Sequence, residues 1–398
     1  MGYAIGEAVP WPVPPDWANG VRENLAWLTE ILAARNGEAQ KRELRQAPRR
    51  DFSFDVIADE QSRRVADALL FDQGGKVWTL PVWHDIQLLT VPAGLGDDTI
   101  ACRTDGFEFV ASGRAMLWSE VNTFEVVRID SVEADALTLL DPLARDWPAG
   151  SRLYPVLYAR SLINSEESAW TDVSGARNIS FTIDEPCDWP AILPATIYRG
   201  YPVLDHHSEE GKDPTASHDR VLQSVDAGTG PVTYFDYVDA PFRVASHRWL
   251  LGTRAEHAAF RSLLYGLRGR MAVLWVPTMS ADLRLAADIA SGSTALVVEW
   301  AGYTVFSREQ SNRRDLRIEL FGGTVLYRRI NNSVESGDTE TLTLDAAPGV
   351  AIAPGQVRLI SFMTLSELAA DSVEIDHITD ADGITLSAVS FRAVKHEL

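Results

Sequence analysis

"LTLLDPLARDWPAG" spans Leu137–Gly150, and "LTLDAAPGVAIAPG" spans Leu342–Gly355. Both begin Leu-Thr-Leu, continue through Asp and a proline-bearing loop, and close on Gly, 205 residues apart at both ends. A shared register of this length predicts internal repetition, which decides architecture. Upstream, "FEVVRIDSVEADALTL" and "VLYRRINNSVESGDTETLTL" each place Arg-Ile (Arg128-Ile129, Arg329-Ile330) in a β-branched and aromatic strand. A turn-prone segment and a second strand follow, which is the pattern of a β-hairpin.

The match extends further back. "GGKVWTLPVW" parallels "RGRMAVLWVPTM", each a glycine stop followed by a buried strand with Trp and a nearby Pro. A helix is expected before each glycine. In "TRAEHAAFRSLLYGL", Thr253 and Glu256 form a capping box, and Ala259, Phe260, Leu263, Leu264 and Leu267 lie on one face. In "DEQSRRVADALLFDQGG" the stripe is Val65, Leu69 and Leu70, with Gly74-Gly75 as the C-cap signal. Short strands, "RRDFSFDVIA" and "APFRVASHRWLL", precede the helices.

The expected fold is therefore mainly β with a few helices (α+β): tandem duplicated small β-barrel or sandwich domains, each with a packed helix, preceded by a helical N-terminal arm. The expected divisions are a Pro/Trp-rich arm and helix at 1–49, a first domain at 50–165 and a connector or insertion at 166–239. A second domain at 240–378 and a C-terminal segment at 379–398 complete the chain. Within the arm, Val21, Leu25, Leu28 and Leu32 share one helical face, and Gly37 is the stop.

Composition narrows the function. Of 398 residues, 46% are hydrophobic and 9% aromatic, enough for packed cores. There is no apolar run long enough to span a membrane and no signal-peptide pattern at the start, and "KHEL" at the end resembles a retrieval signal without one. The net charge of −20 argues against a nucleic-acid partner. Residues 1–50 carry seven Lys or Arg against six Asp or Glu, so the remainder carries −21. A basic arm on an acidic body suits docking on a neighbouring acidic surface, or a solvated basic face.

Chemistry-bearing patterns are few. Asp205, His206 and His207, with Glu209, Glu210, Asp213, His218 and Asp219, have metal-ligand chemistry. Adjacent histidines point apart, however, and the stretch has the composition of a polar loop. "GLGDD" and "FGG" lack the Lys and helix of a phosphate cradle. No nucleophile elbow or zinc-protease motif is present, so no catalytic residue, cofactor or metal is expected. Cys102 and Cys187 are read as buried thiols, with a single bridge between them left open. Trp11, Trp17 and Trp27 sit where little local core exists, and so require a surface to bury them.

"WPVPPDWANGVRENLAWLTEILAARNGEAQKRELRQAPRR" resembles tail-tip proteins of long-tailed bacteriophages, the minor tail and distal-tail-like group. The shared pattern is a Trp-rich opening, a Leu-x-Trp-x-Thr segment (Trp27, Thr29) and a run through Gly37, Gln40, Leu44, Arg45, Pro48, Arg49 and Arg50. The familiar run has Glu and Arg where this chain has Ala39 and Lys41. "YRGYPVLDHH", "PFRVASHRWLLGTRAEHAAFRSLLYGLRGRMAVLWVP" and "SVEIDHITDADGITLSAVSFRAV" are similar to the same group. The resemblance implies a non-enzymatic structural component of the virion tail tip or baseplate, assembled in the bacterial cytoplasm. It would join the tail tube protein to hub and fibre proteins as a ring. Two domains per chain favour a trimer with six equivalent positions over a homohexamer. Trp11, Trp17, Trp27, Arg42, Arg45, Arg49 and Arg50 are the expected intersubunit contacts. The alternative is a module that binds a glycan or receptor on the host surface.

Overall fold

The computed structural model describes residues 8–73, 76–161, 166–209, 211, 213–238 and 240–395. The Gly74-Gly75 stop, Glu210 and most of "KHEL" lie outside the described residues. The chain is mainly β, with 46% strand and 11% helix. In the N-terminal half the elements are β1 (Val21–Ala26), β2 (Thr29–Ala33), β3 (Ala39–Glu43), β4 (Arg49–Asp59), α1 (Glu60–Gln73) and β5 (Val77–Pro81). They continue as β6 (Thr99–Ala101), β7 (Arg114–Glu120), β8 (Thr123–Val132), β9 (Ala136–Leu139), β10 (Arg152–Arg160), β11 (Glu167–Ala169) and β12 (Ser174–Ile183). The C-terminal half has β13 (Ala216–Asp219), β14 (Leu222–Val225), β15 (Thr233–Asp236), β16 (Phe242–Leu251), α2 (Arg254–Leu267) and β17 (Leu274–Pro277). It ends with β18 (Ala295–Glu299), β19 (Asp315–Leu320), β20 (Val325–Ser336), β21 (Thr339–Leu344), β22 (Val357–Leu368), β23 (Ser372–His377) and β24 (Thr385–Ala393).

One series of antiparallel pairings occurs in both halves. In the first, β4 pairs β12, β12 pairs β10, and β10 pairs β5 and β7; β7, β8, β9 and β6 then follow in turn. In the second, β16, β24 and β22 stand in the same relation, with β17 and β19, then β20, β21 and β18. The two Leu-Thr-Leu stretches keep their register in three dimensions. Leu139 faces Ile129 and Leu344 faces Ile330, each beside a break in the ladder one residue further on. A single extra residue there bends the hairpin in the same place. Leu140 donates its N–H to the Arg128 carbonyl and Asp345 to that of Arg329. Trp147 bridges Ala93 as Ile352 bridges Ile289.

The N-terminal segment differs from the expected helical arm. Residues 21–43 form three strands. β1 lies between β4 of the first half and β23 of the second, pairing six residues on each side. Its inward positions are Val21, Glu23 and Leu25, so it alternates at period two with a carboxylate in the middle. A buried Glu breaks the hydrophobic alternation that marks a strand, and Val21, Leu25, Leu28 and Leu32 then mimic a helical stripe. The stretch read as a connector also belongs to the sheets. β12 pairs nine residues with β4, β13 pairs with β16, and β24 lies beyond the expected edge at 378.

α2 begins as its sequence indicates. The Thr253 hydroxyl accepts the Glu256 N–H at 3.2 Å, and Glu256 Oε2 accepts the Gly252 N–H at 2.8 Å. The carboxylate therefore reaches one residue further back than in a strict capping box. Arg268, in the left-handed region, closes the helix by donating to the Leu264 carbonyl. Thr253→Ala is expected to cost about 1 kcal/mol, read as the urea midpoint shift at constant m.

Candidate functional site

The two halves meet around a buried ionic cluster centred on β1. Val21 enters the core of the first half and Leu25 that of the second, leaving Glu23, 0% exposed, at the junction. Arg50, at the start of β4, and Arg261, from α2, both donate to Glu23 Oε1. Oε2 lies 2.8 Å from His377 Nε2, at the end of β23. The same guanidiniums also bind Glu108, Arg50 through two nitrogens and Arg261 through one. Arg254 pairs with Asp85 and donates to the His84 carbonyl at 3.2 Å. The Glu108 N–H donates to Asp85 at 2.8 Å. Three carboxylates thus face three guanidiniums, with contributions from both halves.

Three histidines complete the cluster. The His84 and His377 rings stack at 3.5 Å with planes 8° apart, and His257 meets His377 edge-on at 5.2 Å. Glu23, His84 and His377 bring ligand-type atoms within 4.8 Å of one another. The geometry does not suit a shared cation. Imidazole donates along its own plane, and two nearly parallel planes 3.5 Å apart do not meet at one ion. Both Glu23 oxygens are also engaged, and two neighbouring guanidiniums would repel a divalent cation. The arrangement suits a lock between halves.

Burial, with His377 beside it, pushes the His84 imidazole down to about 3. Burial, His377 and Arg261 likewise hold His257 well below its ordinary value. For Glu23, burial acts upward, but Arg261, Arg50 and His377 outweigh it and hold the carboxyl well below the usual range. Glu108 follows the same balance, with Arg261 and Arg50 prevailing over burial. The acids are therefore charged and these two imidazoles neutral near pH 7.

The expected contact residues divide into two sets. Trp11 and Trp27 are not available to a neighbouring chain. Trp11 is 0% exposed, edge-on to Trp78 and Phe181, and Trp27 is buried edge-on to Tyr265. Trp17 packs against the first core, and Arg50 is consumed by the ionic cluster. Trp11 and Trp17 thus serve the core of the first half and Trp27 that of the second, while Arg50 joins the cluster at the junction, because β1 brings the N-terminal segment inside the molecule. Trp11→Ala is accordingly expected to cost about 3–5 kcal/mol in urea unfolding, rather than affecting assembly alone. Arg42 and Arg49 remain exposed, and Arg45 is half-buried, donating to the Ala26 carbonyl at 3.3 Å. Arg45 and Arg49 line an open cleft of about 960 Å³ with Arg22 and Arg160.

The Asp205–Asp219 stretch disperses into separate contacts. Asp205 accepts from Arg317 and Tyr327, His207 lies 3.4 Å from Glu319, and Glu209 pairs with Arg248. His218 and Asp219 lie on β13. Cys102 and Cys187 are free thiols, each pushed up by burial to about 11. The residues missed from sequence are Glu23, His84, Asp85, Glu108, Arg254, His257, Arg261 and His377. One local signal existed, the Val-x-Glu-x-Leu-x-Trp alternation of residues 21–27, in which the polar member holds an inward position. No protein-family model and no curated protein matches the chain.

Proposed function

We propose that the chain is a structural component of a bacteriophage tail tip or baseplate, and that its halves are two copies of one small barrel- or sandwich-like unit. In this reading it is not an enzyme. Three chains supply six equivalent positions in a ring between the tail tube and the hub and fibres. The observation that carries the reading is the twofold recurrence of the strand-pairing series, joined by a buried ionic cluster that suits a rigid two-unit building block. The resemblance of the N-terminal segment to tail-tip proteins supplies the setting.

Immunogold labelling of phage particles that carry this chain tests the assignment. Label at the distal end of the tail is the expected result. Particles whose tails carry no label contradict it. The host-binding alternative draws on the exposed aromatics Tyr234, Phe235 and Tyr237. Saturable binding of the purified chain to host envelope material, lost on removal of those side chains, would favour that alternative.

A further inference from the structure

Within one chain, three elements join the second half to the first. β1 adds to the edge of β23. The β2–β3 hairpin lies across the second half, where Lys41 pairs with Glu367, Arg268 with Glu43, and Thr29 caps on Asp371 at 2.8 Å. α2 turns its outer face, with His257, Arg261 and Tyr265, into the junction.

The corresponding elements at the far ends lack these partners. β13 stands to β16 as β1 stands to β4, and among the described residues it pairs with no other strand. The β14–β15 hairpin follows β13 as β2–β3 follows β1, but its strands are exposed almost throughout. Tyr234 is 64% exposed and Phe235 44%. A two-stranded hairpin with apolar side chains in water on both faces is marginal by itself. On the first half, β11 pairs only with β12 among the described residues, whereas its counterpart β23 also carries β1. α1 and α2 have the same length, and position for position Phe71, 97% exposed, stands where Tyr265 is 5% exposed.

Charge agrees with this pairing of ends. Asp67 occupies in α1 the place of Arg261 in α2. The cleft beside β13 is basic, lined by Arg220, Arg243 and Arg313 together with Phe306 and Phe362. Asp67 already touches Arg177, but its side chain is half exposed on the outer face of the helix. Asp67 and Phe71, on a face where Arg63 matches His257 and is already paired with Glu167, therefore have a basic, aromatic cleft as their complement.

We infer that the second half of one chain docks on the first half of another copy, head to tail, repeating between chains the contact that joins the halves within a chain. β13 and the β14–β15 hairpin of one copy meet β11, α1 and the Arg45–Arg49 cleft of the next. The inference rests on reading the halves as two copies of one unit. Contacts of this heterologous kind close into rings or run on as filaments, according to the rotation at each step.

Two variants test it, Phe71→Asp on α1 and Tyr234→Asp with Phe235→Asp on the hairpin. All three side chains are exposed, and unchanged thermal melting checks that each variant folds. Sedimentation of the full chain is expected to show assembly. Each variant alone should be monomeric, with an apparent Kd raised on the order of thirtyfold or more, as for loss of a central aromatic contact. An equimolar mixture should yield a dimer and nothing larger, because one intact head meets one intact tail. Wild-type chain that stays monomeric, variants that assemble like wild type, or a mixture that gives no dimer would each overturn the inference. None of these outcomes bears on whether the chain is found at the tail tip, which the labelling experiment decides separately.

Discussion

Glu23→Gln is expected to lower the unfolding free energy by about 3–5 kcal/mol, the range for removing one partner from a buried ion pair. The amide keeps the shape of the carboxylate but not its charge. Arg50 and Arg261 would then share Glu108 alone, two buried guanidiniums on one acid. Urea unfolding at pH 7.5 measures the loss. Glu30→Gln, on the exposed β2 strand, is the control and should stay within about 0.5 kcal/mol of wild type. Equal effects at the two positions would show that the cluster does not hold the halves together.

Acid should weaken the protein through the same cluster. The folded chain keeps His84 neutral down to about 3, whereas the unfolded chain protonates it below about 6.5. Unfolding therefore takes up a proton throughout that window, and stability falls with falling pH by about 1.4 kcal/mol per pH unit for such a histidine. His257 acts in the same direction. Glu23 and Glu108, held low when folded, contribute stability above about 4.5 that is lost as pH falls further. Asp85 opposes them, since burial and Glu108 raise its carboxyl against the pull of Arg254. The groups facing His84 are Glu23, Glu108, His257 and His377, with Arg50 and Arg261 behind the two glutamates. His84→Phe should flatten the dependence between pH 6.5 and 4.5 by about one histidine's share, about 1.4 kcal/mol per unit. An unchanged slope in urea unfolding across that range would rule out His84 as a contributor.

The paired hairpins were legible because their signal is local. Leu137-Thr138-Leu139 and Leu342-Thr343-Leu344 alternate cleanly, and their partner strands lie a few residues upstream. The α2 start was legible for the same reason, since Thr253 and Glu256 answer to neighbouring amides. In β12 the alternation of Ile179, Phe181 and Ile183 is a local strand signal, but the partner β4 is more than a hundred residues away. Nothing in its own residues names that partner, so it was assigned to a connector. β1 was misread because Glu23 occupies an inward position that pattern reading reserves for apolar side chains. The ionic cluster stayed hidden because its members come from separate strands, loops and a helix of both halves. Charges paired by topology leave no spacing to read. Trp11 and Trp27 were rightly seen to need burial, but the surface that buries them is the chain's own.

The most direct measurement is imaging of the purified chain by negative-stain class averaging, with native mass on the same sample. A closed ring of three chains with six like lobes, two per chain, is the expected result. A chain that images as one undivided lobe, or a ring whose lobes number one per chain, would contradict the reading of two like units locked together around Glu23.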